Sequence, residues 1–179
     1  MPIQTVVLAI AIVLGAIAGW RVADAWWKYR GRRVITCPEN QSPASVVVDA
    51  RHAAATALGK SPELRLASCS RWPERAGCGQ ACLSQIEASP EGCLVRNILT
   101  KWYEGKVCAW CGLPFGELDW AGHKPALLGA DGLSVEWSEV PSDKLHETLA
   151  AASPVCFACH MANKLVREHP ELAVDRSKR

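Results

Sequence analysis

No charged side chain occurs between Ile3 and Trp20. An apolar run of 18 residues is a poor fit to a solvated segment or an ordinary surface helix. At about 1.5 Å per helical residue it spans roughly 27 Å, close to a bilayer core of about 30 Å. A basic stretch ahead of this run is also missing, since the first charged side chain is Arg21. Secretory leaders open with a basic region, so the expectation is an uncleaved membrane anchor. Methionine occurs only at Met1 and Met161. There is no Ser-His-Asp set, phosphate loop, internal repeat or low-complexity tract. These absences remove the common hydrolase, nucleotide-binding and solenoid readings.

The charges that are present fall after the apolar run. Arg21, Lys28, Arg30, Arg32 and Arg33 stand against the single acid Asp24, giving residues 1–33 a charge of +4. Basic residues beside a membrane helix stay in the cytoplasm. The expected topology is therefore N-out and C-in, with residues 34–179 cytoplasmic. The cluster is also suited to anionic headgroups. Continuing the helix to Trp27 completes the span, and Trp20, Trp26, Trp27 and Tyr29 suit an interfacial aromatic belt. Gly15 and Gly19, extended by Ala11, form a small-residue stripe of the kind that lets membrane helices pair or self-associate. Residues 34–179 hold 15 basic and 17 acidic residues. Without a basic stripe, no nucleic-acid partner is expected.

Nine cysteines are present. In the cytoplasm they stay reduced, and clustered cysteines there are usually metal ligands or catalytic. An odd number also cannot be fully paired within one chain. Outside the cytoplasm, a disulfide framework would become a serious reading.

The pattern predicts a mixed α+β fold: a single transmembrane helix followed by a small, metal-organised, cysteine-rich domain. Its expected parts are an anchor with basic flank (1–33), a cysteine-rich region (34–105), a metal-binding region (106–168) and a polar tail (169–179). Strands are predicted at 34–36, 46–48 and 64–66. A helix over 50–58 is closed by Gly59. Another helix begins near Gln80, placing Cys78 and Cys82 on one side of it. Pro90 is expected to open the next helix. Leu94, Val95, Ile98, Leu99, Trp102 and Tyr103 form its apolar face, and Gly105 ends it. A strand-and-turn over 106–115 precedes a hairpin within 117–137. Ser142 is expected to cap a helix bearing Leu145 and Leu149, with Ser153-Pro154 as its breaker. A last helix starts near Cys156 and stops at His169-Pro170.

Two Cys-x-x-Cys pairs carry the chemistry: Cys108-Ala-Trp-Cys111 and Cys156-Phe-Ala-Cys159. Four thiolates in two close pairs match the needs of a tetrahedral ion. Gly112 permits the tight backbone of a knuckle, and a helix start aims N–H groups at the second pair. Knuckle, hairpin and helix together resemble a treble-clef zinc domain over residues 106–168. The 44-residue gap between the pairs is longer than in compact zinc motifs. The resemblance implies structural zinc on Cys108, Cys111, Cys156 and Cys159, with His123 or His160 as a possible replacement ligand.

Three other readings use the same residues. Cys-Phe-Ala-Cys-His160 matches a c-type haem attachment signature, but attachment takes place outside the cytoplasm. Met161 also lies too close to His160 to reach the opposite haem face. Trp110-Cys111-Gly112-Leu113-Pro114 resembles a thioredoxin run, with Pro114 where that family has its second cysteine. His123-Lys-Pro between the pairs resembles an HNH-type nuclease. Here no Asp directly precedes His123, and no Asn lies between His123 and Cys156; Asn163 and Lys164 come later.

Cys37, Cys69, Cys78 and Cys82 form a second candidate set for zinc or an iron–sulfur cluster, with Cys93 as a substitute. Familiar ferredoxin spacings are absent, and the alternative is buried free thiols. Trp72-Pro73 is read as a lid over these cysteines or as a partner contact. The combined reading is a membrane-anchored zinc protein acting as a non-catalytic binding or assembly module, with no catalytic residue assigned. Its expected partners are the bilayer and a protein. A membrane-bound electron carrier and an HNH-like nuclease are the alternatives.

Overall fold

The computed structural model describes residues 3–59, 61–75 and 77–172. They contain mixed helix and antiparallel sheet, consistent with an α+β class, behind one long apolar helix. The chain divides into two compact units, Met1–Val95 and Arg96–Arg179.

In the first unit, α1 (Ile3–Tyr29) is long and apolar enough to cross a bilayer. Nearly all of its apolar run is exposed, and a Cβ placed at Gly15 or Gly19 would meet nothing within 4 Å. Its last turns differ. Ala25 and Tyr29 are buried with Ile35, Val46, Ala53 and Ile86. Arg21 Nη2 donates to the Gly59 carbonyl at 2.9 Å. Trp26 and Trp27 remain exposed on the other side of the same helix.

Strands β1 (Arg32–Thr36), β2 (Pro43–Val48) and β3 (Leu66–Cys69) form an antiparallel sheet in that order. Val46 and Val48 alternate inward on β2, as a half-buried strand requires. Helix α2 (Ala50–Thr56) packs on α1 and is capped by Asp49, whose carboxylate accepts from the His52 N–H at 3.0 Å. Arg65 grips the same carboxylate at 2.7 Å.

Boundary expectations fail here: β3 runs Leu66–Cys69 rather than 64–66, and two helix starts move, one through backbone conformation and one through long-range pairing. Helix α3 spans Leu83–Ala88 rather than starting near Gln80. Gln80 has φ of 54°, a left-handed conformation that interrupts a helix, and its side-chain oxygen accepts from the Leu66 N–H at 2.8 Å. Cys78 therefore lies in a loop, Cys82 sits at the α3 N-cap, and they do not share a helical face. Pro90 does not open α4, which runs Val95–Tyr103. The intervening backbone is committed to β1: Val34 N–H donates to the Cys93 carbonyl at 2.9 Å, and Arg33 bridges to Leu94.

In the second unit, β4 (Ala126–Leu128) is central, with β5 (Ser134–Glu136) and β6 (Ser153–Val155) antiparallel on either side. Gly132 turns the β4–β5 hairpin at φ of 77°. Helix α5 (Leu145–Ala151) buries Leu145 and Leu149. Its N-cap is Lys144, not Ser142, because a 3-10 turn over Ser142–Lys144 precedes it. Ser153-Pro154 ends α5 as expected and also supplies strand β6. Helix α6 (Phe157–Glu168) stops before Pro170. Tyr103 at the end of α4 donates its hydroxyl to the Ala126 carbonyl at 2.7 Å and packs on Phe115.

Candidate metal centre

The first cysteine pair lies in a hydrogen-bonded knuckle. Val107 and Pro114 bridge its ends. Cys108 N–H donates to the Leu113 carbonyl, and Gly112 N–H donates to the Cys108 carbonyl, each at 2.9 Å. Gly112 has φ of 69°, which a Cβ would strain. Ala109 N–H then donates to the Pro154 carbonyl at 2.8 Å, fastening the knuckle to β6. The next residues along the chain are Val155 and Cys156.

Cys156 is the N-cap of α6, and Cys159 lies in the first turn. Two pairs with 44 residues between them in sequence thus meet. The sulfurs of Cys108, Cys111, Cys156 and Cys159 all lie within 4.8 Å of one another. Cys111 and Cys156 approach to 3.8 Å. With metal–sulfur bonds of about 2.3 Å, a tetrahedral zinc shell has sulfur–sulfur edges of about 3.8 Å. The four sulfurs lie close enough to hold a metal ion.

Electrostatics within the group are uneven. Burial pushes the Cys108 thiol up, but N–H groups of Cys111, Cys156 and Trp110 outweigh it and bring the value down to about 6. Burial, with the neighbouring sulfurs of Cys156, Cys111 and Cys108, pushes Cys159 up to about 12. Cys156 moves up mainly through burial. Cys108 thus favours thiolate while Cys156 and Cys159 favour the thiol, whose protons an incoming cation must displace.

Neither histidine considered as a replacement ligand belongs to this group. His160 is 7% exposed, and its Nδ1 is hydrogen-bonded to Ser134 Oγ at 2.9 Å. His123 is exposed. Its Nδ1 is 3.2 Å from Asp119 Oδ2, and its ring meets Phe157 edge-on at 4.9 Å. Asp119 also accepts from the N–H groups of Ala121, Gly122 and His123. Led by the Gly122 amide, these bonds hold its carboxyl at about 2. Sequence reading missed Asp119 and Ser134. Asp119 had a local signal, an acid three residues before Gly122 in a turn. Ser134 had none.

The second candidate set is in the first unit. Cys37, Cys69, Cys78 and Cys82 all line one cavity of about 70 Å³, with Trp72 on its wall. Among the described residues, their sulfurs do not gather as tightly as the first four. Arg71 Nη1 donates to Cys37 Sγ at 2.9 Å. The Glu39 N–H is the largest influence lowering the Cys37 thiol, and Arg71 adds to it. Burial and the charges of Cys69 and Cys78 raise Cys82. Cys93 does not line this cavity; its sulfur points to the Ser89 and Pro90 carbonyls. None of the nine cysteines is disulfide-bonded.

No protein-family profile matches the chain, and no curated protein or solved structure matches it.

Proposed function

We propose that this chain is a single-pass membrane protein whose cytoplasmic region holds structural zinc at Cys108, Cys111, Cys156 and Cys159. It acts as a non-catalytic binding or assembly module. The convergence of these four sulfurs to within 4.8 Å carries the reading. Thiolates select soft ions, and a tetrahedral set is the usual zinc preference. A closed shell leaves no position for substrate. The knuckle, the β4–β5 hairpin and the helix bearing the second pair support a treble-clef-like arrangement. Both sulfurs of the haem-type signature lie inside the four-sulfur group, and His160 is buried against Ser134. That favours a metal ion over haem.

Anchoring is supported by the exposure of the apolar run and by the way α1 ends. A removable leader carries no part of the mature core, whereas Ala25 and Tyr29 are core residues. The exposed Trp20, Trp26 and Trp27 suit the headgroup layer. The basic residues after residue 20 favour a cytoplasmic C-terminal region. The bilayer is then the first partner. Gly15 and Gly19 leave an open stripe for a second helix, and a protein partner is expected for the assembly role.

The test uses full-length protein purified in detergent under reducing conditions. Elemental analysis should find zinc with no visible absorption, and Cys111→Ser with Cys156→Ser should remove it from this site. Cobalt exchange should give sulfur-to-metal charge-transfer bands. A Soret band in protein matured with an export system would overturn the reading. So would divalent-metal-dependent DNA cleavage abolished by His123→Ala. Protease access to residues 34–179 only from outside intact cells would overturn the orientation.

A further inference from the structure

The first unit contains a cavity whose sulfur lining is unused by the proposed centre. We infer that Cys37, Cys69, Cys78 and Cys82 form a second, independent site for one thiophilic divalent cation of the zinc class. Four segments contribute: the turn after β1, the end of β3, the loop before α3 and the α3 N-cap. They are separated by up to 45 positions in sequence, yet all four cysteines face one space of about 70 Å³. A single water requires roughly 10–15 Å³ by this measure, so an ion fits.

Cysteines used as small hydrophobes fill the space they occupy. Cys82 belongs to the core, and Cys37 and Cys69 pack against it, yet all four also face open space and only Cys82 is buried. The remaining wall is mostly apolar, including Ile35, Leu66 and Trp72. Hard cations require about six oxygen ligands. The carboxylate on this wall, Glu39, is engaged by Arg75 at 3.0 Å and Arg71 at 3.8 Å. Sulfur is therefore the chemistry the cavity offers. Arg71 also donates to Cys37 Sγ at 2.9 Å, placing a positive charge beside one sulfur. Such a contact balances excess negative charge in a four-thiolate shell.

These sulfurs are more widely spread than those of the first group. Cys37 and Cys78 lie outside regular elements, where small backbone and rotamer shifts bring sulfurs toward a common ion. Cys82 is held at the start of α3. Trp72 lies on the same wall and packs against the core.

The test is zinc stoichiometry in the full-length, detergent-purified protein. Wild type should hold two ions per chain. Cys69→Ser with Cys78→Ser should hold one, and Cys111→Ser with Cys156→Ser should hold the other. One ion in wild type, retained by the first double variant and absent from the second, overturns the second site. An ion that survives the second variant but is lost from the first leaves this site standing and removes the proposed centre. Should Cys69→Ser with Cys78→Ser fail to fold, alkylation of the wild type decides. Cys37, Cys69, Cys78 and Cys82 should become reactive only after chelation. Their rapid labelling without chelator overturns the proposal.

Discussion

Arg33 Nη1 donates to the Tyr29 carbonyl at 2.8 Å, so a fully buried guanidinium closes the C-terminal end of the long apolar helix α1. The same nitrogen reaches the Arg30 and Gly31 carbonyls at 3.2 and 3.1 Å, and Nη2 reaches Lys28. The last carbonyls of a helix have no intrahelical partner. Arg33 supplies their donors and complements the negative end of the helix dipole. Burial lowers its affinity for the proton, but arginine remains charged. Arg33→Ala should therefore destabilise the first unit by on the order of 3 kcal/mol. Arg33→Lys should recover only part, since a lysine lacks the planar fork. Denaturant unfolding in detergent, followed by hydrogen exchange over residues 26–36, checks both. Unchanged protection in Arg33→Ala would show that Arg33 does not hold the helix end.

Metal uptake at the first group should weaken as pH falls. Cys108 favours thiolate above about 6, while Cys159 is held protonated up to about 12 without a cation. Binding must expel the remaining thiol protons, so acid competes directly with the ion. Chelator competition between pH 6 and 8 should show affinity rising with pH, with proton release on binding. Cys111→Ser should lower affinity by more than about 100-fold, beyond the usual effect of a residue that only supports a ligand.

Ser134→Ala should act on the second unit without changing a metal ligand. It leaves buried His160 Nδ1 without its hydroxyl partner, 2.9 Å away in the native protein. The expected cost is about 1–3 kcal/mol. Hydrogen exchange should rise in both β5 and α6, which this bond joins. Ser134→Thr, which keeps a hydroxyl, should recover part of the protection.

Asp119 should titrate near 2 in the folded protein, below its ordinary value of 3.8. A depressed carboxyl contributes stability that is fully present above the unfolded value. That contribution is lost as pH falls from there through about 2. Carbon-detected NMR titration measures the midpoint directly. Asp119→Asn should loosen the amides of Ala121, Gly122 and His123 at neutral pH, and acid should then have little further effect on them. A native midpoint near 3.8 would show that these bonds do not form.

Legibility differed sharply among these features. The Cys108 and Cys156 pairs were readable because their geometry is local: two intervening residues, a glycine after the first pair and a helix after the second. The apolar face of α4 was readable through helical spacing, although its start was not. Pairing of Val34 with Cys93 overrode the Pro90 signal. Gln80 likewise broke an expected helix through a conformation that residue type alone does not reveal.

Residues 3–20 by themselves determined a long apolar helix, since uninterrupted hydrophobic side chains and the absence of charge act along the local chain. The sequence alone also paired cysteines at metal-ligand spacing. Only tertiary structure joined the two pairs, because strands β4 and β6 and the Ala109–Pro154 bond cross the long gap. It alone separated the basic cluster by role. Arg33 has the same charge as its neighbours, but burial and four carbonyl contacts make it a helix cap. It also gathered the other four cysteines around a cavity, since the β1–β2–β3 sheet and α3 set which distant side chains share that space.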